Sequence, residues 1–143
     1  MTTRVTFYDI PANDHLALYE KLARAAWDKR KRLIIRAHAQ ELAQLDDHLW
    51  TFRDESFVPH EVASGDKPLL DEEAFIVLVG SDIRPIPADI LLQLAPCDPG
   101  FAKAFDTVID LVDHSDPQRL DASRARYRAW VEAGIRPELK KTL

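Results

Sequence analysis

Apolar positions along this chain alternate between two periods. Residues 4–10, RVTFYDI, switch between apolar and other side chains and are rich in β-formers, which predicts a strand closed by Pro11. Asn13 or Asp14 is placed to cap a following helix. Leu16, Tyr19, Leu22, Ala23, Ala26 and Trp27 then recur at helical spacing to about residue 28. The basic run Lys29-Arg30-Lys31-Arg32 falls where that helix ends and suits its negative terminus. Leu33-Ile34-Ile35 reads as a short buried strand. A second helix is predicted over 39–51, with Leu42, Leu45, Leu49 and Phe52 on one stripe. Residues 53–73, with Pro59, Gly65 and Pro68, read as loop.

The second half continues the pattern. AFIVLV over 74–79 is an unbroken apolar run, the mark of a strand covered on both faces. ILLQL over 90–94 and VIDLV over 108–112 are further strands, with a helical turn between them at 101–105. The last element, 117–133, is a helix with Asp116 as cap, Pro117 in its first turn and Gly134 as stop. Residues 134–143 are expected to trail as a flexible tail. Strands alternating with helices at this spacing predict a single α/β domain, a mostly parallel sheet covered by helices on both faces.

Composition agrees with a globular domain. The chain has 143 residues, 46% apolar and 30% charged. No apolar run approaches the roughly 18–20 residues of a spanning helix, so no membrane role is expected. The opening MTTRVTFYDI lacks a basic segment followed by a long apolar stretch, so no secretory signal is expected either. A single cysteine, Cys97, suits a reducing cytoplasm.

Charge changes the picture more. The net is −5, yet residues 117–143 hold seven basic and three acidic side chains, a surplus of +4. Residues 1–116 hold twelve basic and twenty-one acidic, a balance of −9. A basic end on an acidic body suits a local anionic partner, or simply a solvated helix face.

Folds of this class often bind nucleotides through a glycine-rich first turn. Here the four glycines, at 65, 80, 100 and 134, are scattered, and neither GxGxxG nor GxxxxGK[ST] occurs. No cofactor is expected. The histidines at 15, 38, 48, 60 and 114 form no HxH or HExxH, and Asp46-Asp47-His48 would point apart on a helix, so no metal site is expected. Cys97 lacks a neighbouring base, and no nucleophile elbow is present. No residue is assigned a catalytic role.

Two segments stand out. In LDDHLWTFRDESFVPH (45–60), Trp50 lies about 100° off the apolar stripe and Phe57 sits in a loop, so both face a groove or cap the core edge. In RLDASRARYRAW (119–130), Arg124, Tyr127, Arg128 and Val131 share a helix face at i, i+3, i+4 and i+7. Rings beside guanidinium groups are enriched at binding hot spots, although Tyr127 or Trp130 could equally be core.

These two blocks, the opening strand with its FY pair and the ADILLQL segment resemble the chi subunits of bacterial DNA polymerase III, in order and spacing, from about residue 4 to 135. The resemblance implies a non-catalytic clamp-loader accessory protein with a nucleotide-binding-like fold that lacks a phosphate loop. It implies two partners: the psi subunit, and the acidic C-terminal tail of single-stranded DNA-binding protein, which ends in an apolar pair and phenylalanine. Contact with nucleic acid would be indirect. By the same resemblance the tail groove comprises Trp50, Phe57, Val112, Arg124, Arg126, Tyr127 and Arg128. The family's lysine one turn earlier is replaced by Leu120, and the sequence leaves open whether Arg119 beside it takes that role. The alternatives are a small α/β hydrolase using Cys97 or a histidine, and a module that binds single-stranded DNA directly through the C-terminal helix.

Overall fold

A computed structural model describes residues 3–9, 15–51, 59–63, 69 and 74–141. Seven strands form one sheet: β1 (Arg4–Tyr8), β2 (Leu33–Arg36), β3 (Glu61–Ala63), β4 (Ile76–Val79), β5 (Ile90–Gln93), β6 (Thr107–Leu111) and β7 (Glu138–Lys140). Between them lie α1 (His15–Asp28), α2 (Leu42–Thr51, entered through a tight turn at Ala39–Glu41), α3 (Pro99–Ala102) and α4 (Pro117–Glu132). The spatial order is β3-β4-β2-β5-β6-β1-β7, and every pair is parallel.

Parallel neighbours need crossovers, and right-handed crossovers decide which face each helix covers. The chain moves one way across the sheet from β1 to β2 to β3, laying α1 and α2 on one face. It returns through β5, β6 and β7, laying α3 and α4 on the other. Strand residues alternate between these covers. Val77 and Val79 join the core under α3 and α4 with Val5, Phe7, Leu91, Val108 and Trp130. Ile76 and Leu78 join the core under α1 and α2 with Tyr19, Leu45, Leu49 and Leu92. All four β4 residues are therefore buried, as the unbroken apolar run predicts. At its end Gly80 is obligatory, because an added Cβ would lie 2.8 Å from Leu42 Cδ1 and 2.9 Å from Ala39 Cα.

Several boundaries differ from the sequence reading. The first strand ends at Tyr8, and α3 starts at Pro99, because the Asp98 carboxylate caps it by accepting from Gly100 N–H at 2.8 Å. The predicted loop contains β3, three residues on the sheet edge. The predicted tail contains β7, which pairs with β1. Both strands are too short to show a period. The basic run after α1 also differs: Arg30, at φ 55°, stacks on Trp27 with its Cζ 4.7 Å from the ring centroid. Asn13, Asp14 and Phe52 lie outside the described residues. Among the described residues, no helix is long and apolar enough to cross a membrane, and no group of side chains could hold a metal ion.

Candidate partner-binding surfaces

Helix α4 is set by its ends. The Asp116 carboxylate accepts from Arg119 N–H at 2.8 Å, and Gly134 takes φ 88° beyond the last turn. Ser123, Arg126 and Trp130 form its buried stripe. Arg126 Nε and Nη2 donate to the two oxygens of Asp110 at 2.8 and 2.9 Å, and Leu111 N–H donates to the same carboxylate at 2.7 Å. Burial pushes the Asp110 carboxyl up to about 6 against the pull of Arg126, which leaves it ionised at neutral pH. Trp130 Nε1 donates to Gln93 Oε1 at 3.3 Å. Arg126 is thus a core residue committed to a buried ion pair, and the assignment to the peptide groove is corrected. Its spacing from Trp130, one turn on, was the available signal.

The opposite face of α4 is different. Arg124 and Arg128 are exposed, and Val131 is 50% exposed. Arg124 lies 3.9 Å from Asp121, a weak contact, and Arg128 has no ion pair among the described residues. Tyr127 is half-buried, its ring set edge-on against Phe7 of β1 at 5.2 Å. Val112, just past β6, packs on the same core as Tyr127 and is held by its N–H to the Tyr8 carbonyl at 2.9 Å. The guanidinium of Arg119, beside Leu120, reaches Glu41 at 3.0 Å, Asp113 at 3.4 Å and Asp116 at 3.8 Å. Against burial, which lowers it, Glu41 and Asp113 raise the Arg119 pKa, and the Glu41 pair ties α4 to the turn before α2.

Trp50 is elsewhere. It is 49% exposed at the end of α2, its ring 4.7 Å from the His60 ring, and its Nε1 donates to Asp46 Oδ1 at 3.2 Å. His60 Nε2 bonds the same Asp46 oxygen at 2.7 Å. With Trp27, Pro59 and Phe75, Trp50 and His60 line a cavity of about 410 Å³ beside the β3 edge. Tyr127 lies over β1, five strand spacings away, or ~24 Å at the usual separation, and on the opposite face of the sheet. A single groove containing both rings is excluded. The sequence reading is corrected to two surfaces, one at each edge of the sheet. Phe57 lies outside the described residues.

Cys97 Sγ sits 3.5 Å from the Ala95 carbonyl, and burial, with Asp82 nearby, pushes the thiol up to about 12. A thiol held protonated at neutral pH is a poor nucleophile. Asp46 is engaged by His60 and Trp50, and His114 pairs with Asp9.

Fold and surface together define a class: a doubly wound α/β domain without a phosphate-binding glycine loop, which displays rings and guanidinium groups at its outer edges. The family described as DNA polymerase III chi subunit, HolC, matches residues 1–138. The chain is 35% identical over 138 residues to the DNA polymerase III subunit chi of Pseudomonas aeruginosa, covering 92% of each chain. It is 34% identical over 120 residues to that of Escherichia coli, covering 80% of this chain and 77% of the relative. With the Haemophilus influenzae subunit it shares 29% over 133 residues, 90% of each. The chain belongs to the DNA polymerase III chi subunit family, and it is a non-catalytic accessory subunit of a replicative polymerase.

Proposed function

We propose that this subunit is a cytoplasmic tether with two partners, gripping the acidic C-terminal tail of single-stranded DNA-binding protein on α4 and the psi subunit at the Trp50 edge. The observation that carries the tail site is the exposed face of α4, where Arg124 and Arg128 flank a tyrosine seated on the core. An acidic peptide finds cations there that are not neutralised by strong internal pairs. Tyr127 and Val112 offer apolar surface for a terminal phenylalanine. Burying a Phe side chain contributes roughly 1.5–3 kcal/mol, and each charge-assisted hydrogen bond adds roughly the same. After the cost of ordering the tail, an affinity near micromolar is expected, about −8 kcal/mol.

The psi surface is favoured by a separate observation. Trp50 and Val62 are two of the four large apolar side chains most exposed among the described residues, and they flank the short β3 edge. Half-exposed tryptophan beside further rings suits a protein partner.

Calorimetric titration with a synthetic tail peptide tests the α4 reading. Removing the terminal phenylalanine should abolish most binding, and raising salt should weaken the rest. Full affinity without the phenylalanine would leave charge as the sole grip. A gel shift with naked single-stranded DNA should show no complex until the binding protein is added. A shift by this subunit alone would favour direct DNA binding.

A further inference from the structure

The open edge beside α4 is β7. It is the last strand of the sheet, and all three of its residues are exposed. Its register against β1 pairs Thr6 with Glu138, Phe7 with Leu139 and Tyr8 with Lys140. The Lys140 carbonyl accepts from Asp9 N–H at 2.7 Å, so the backbone of Lys140 faces β1. Alternate residues of a strand turn their polar groups to opposite sides. Leu139 therefore aims its N–H and C=O away from the sheet. Being in register with Phe7, it also sends its side chain to the α4 face, where Phe7 meets Tyr127. Leu139 is 51% exposed. Val131 of α4 is exposed as well, and the outer edge of β7 has no strand partner among the described residues.

Edge lysines commonly block pairing between like chains. Arg136 and Lys140 are exposed and have no ion pair among the described residues, and Lys141 lies 3.7 Å from Asp9. With the exposed Glu138 counted against Arg136, Lys140 and Lys141, the strip keeps a surplus of two positive charges. An acidic strand would be attracted by the same charges. We propose that β7 is a strand-addition site: an extended acidic peptide hydrogen-bonds to the outward amide and carbonyl of Leu139 and rests an apolar side chain on Leu139 and Val131. The inference rests on α4 being the acidic-tail site and adds the path of the peptide main chain.

The test uses labelled tail peptides, N-methylated at alternate amides in two complementary series, titrated against the full-length subunit. In an added strand only alternate amides face the edge. One series should lose at least about fivefold in affinity and the other should bind as the parent does, since one main-chain bond contributes on the order of 1 kcal/mol. Leu139→Asp should weaken binding at least about tenfold with an unchanged melting temperature, and Leu139→Ile should retain it. Equal affinity in both series, or full affinity in Leu139→Asp, overturns the proposal. If Arg124→Ala still weakens binding in that case, the α4 site stands without the strand. If Arg124→Ala is also silent, the α4 reading falls too. A dimer in sedimentation velocity would make a second copy the occupant and overturn the acidic peptide.

Discussion

Arg124 and Arg126 are the same residue two positions apart on one helix, and they do opposite work. Two residues turn an α-helix by about 200°, so one guanidinium lies in solvent and the other beneath the helix against Asp110. The buried arginine stabilises the attachment of α4 to β6. The exposed one is free to meet a partner. A motif read as a string of basic residues thus mixes a buried structural group with a solvent-exposed one, and only the helical phase separates them. The same division recurs between the sheet edges. Tyr127 and Trp50 are both aromatic and partly exposed, yet they lie on opposite faces.

The largest expected effect is on the buried side. Arg126→Met leaves the Asp110 carboxylate buried without its cation and should cost about 3–5 kcal/mol in urea unfolding at neutral pH. The loss should shrink on acidification. Burial already raises the Asp110 carboxyl, and removing Arg126 raises it further. Stability of the variant should therefore fall as pH rises above the carboxylate's unfolded value, since the folded state binds the extra proton. A penalty independent of pH would mean that Asp110 does not carry the charge.

Trp50→Ala should sharpen the contrast between edges. It should weaken the complex with psi by about 2 kcal/mol or more, the range of a tryptophan hot spot. Tail-peptide affinity, measured by calorimetry, should not move. Loss of tail binding in that variant would break the division into two surfaces. On the exposed side of α4, Arg124→Ala and Arg128→Ala should each reduce tail affinity at least about tenfold, near 1.4 kcal/mol, with no change in unfolding midpoint. The smallest effect belongs to the cap. Asp116→Ala should lower stability by about 1 kcal/mol while the titration with the tail peptide stays nearly the same.

Much of the fold is legible in the sequence. The apolar run 76–79 is buried on both faces because a central parallel strand has two covers. The start and stop of α4 followed from Asp116, Pro117 and Gly134, whose effects are local. The resemblance to chi subunits rests on the LW…ESFVPH block and the RxRYRAW helix, and the family match agrees with it. β3 and β7 escaped because three residues cannot display a period, and edge strands owe their existence to the neighbour they join. Trp50 and Tyr127, grouped by the role the resemblance gives them, lie on opposite faces of the sheet, which no spacing along the chain reveals.

Local chemistry and hydrophobic periodicity, which act over a few residues, determined the parallel α/β architecture, the capped ends of α4 and the absence of a phosphate loop. Only the tertiary structure decided that Arg126 is inside, that Arg119 is occupied by three carboxylates, and that Trp50 and Tyr127 lie on opposite faces of the sheet. Those facts depend on which strands become neighbours and which face each crossover takes, and such relations link residues as distant in sequence as Thr6 and Glu138, which no short window contains.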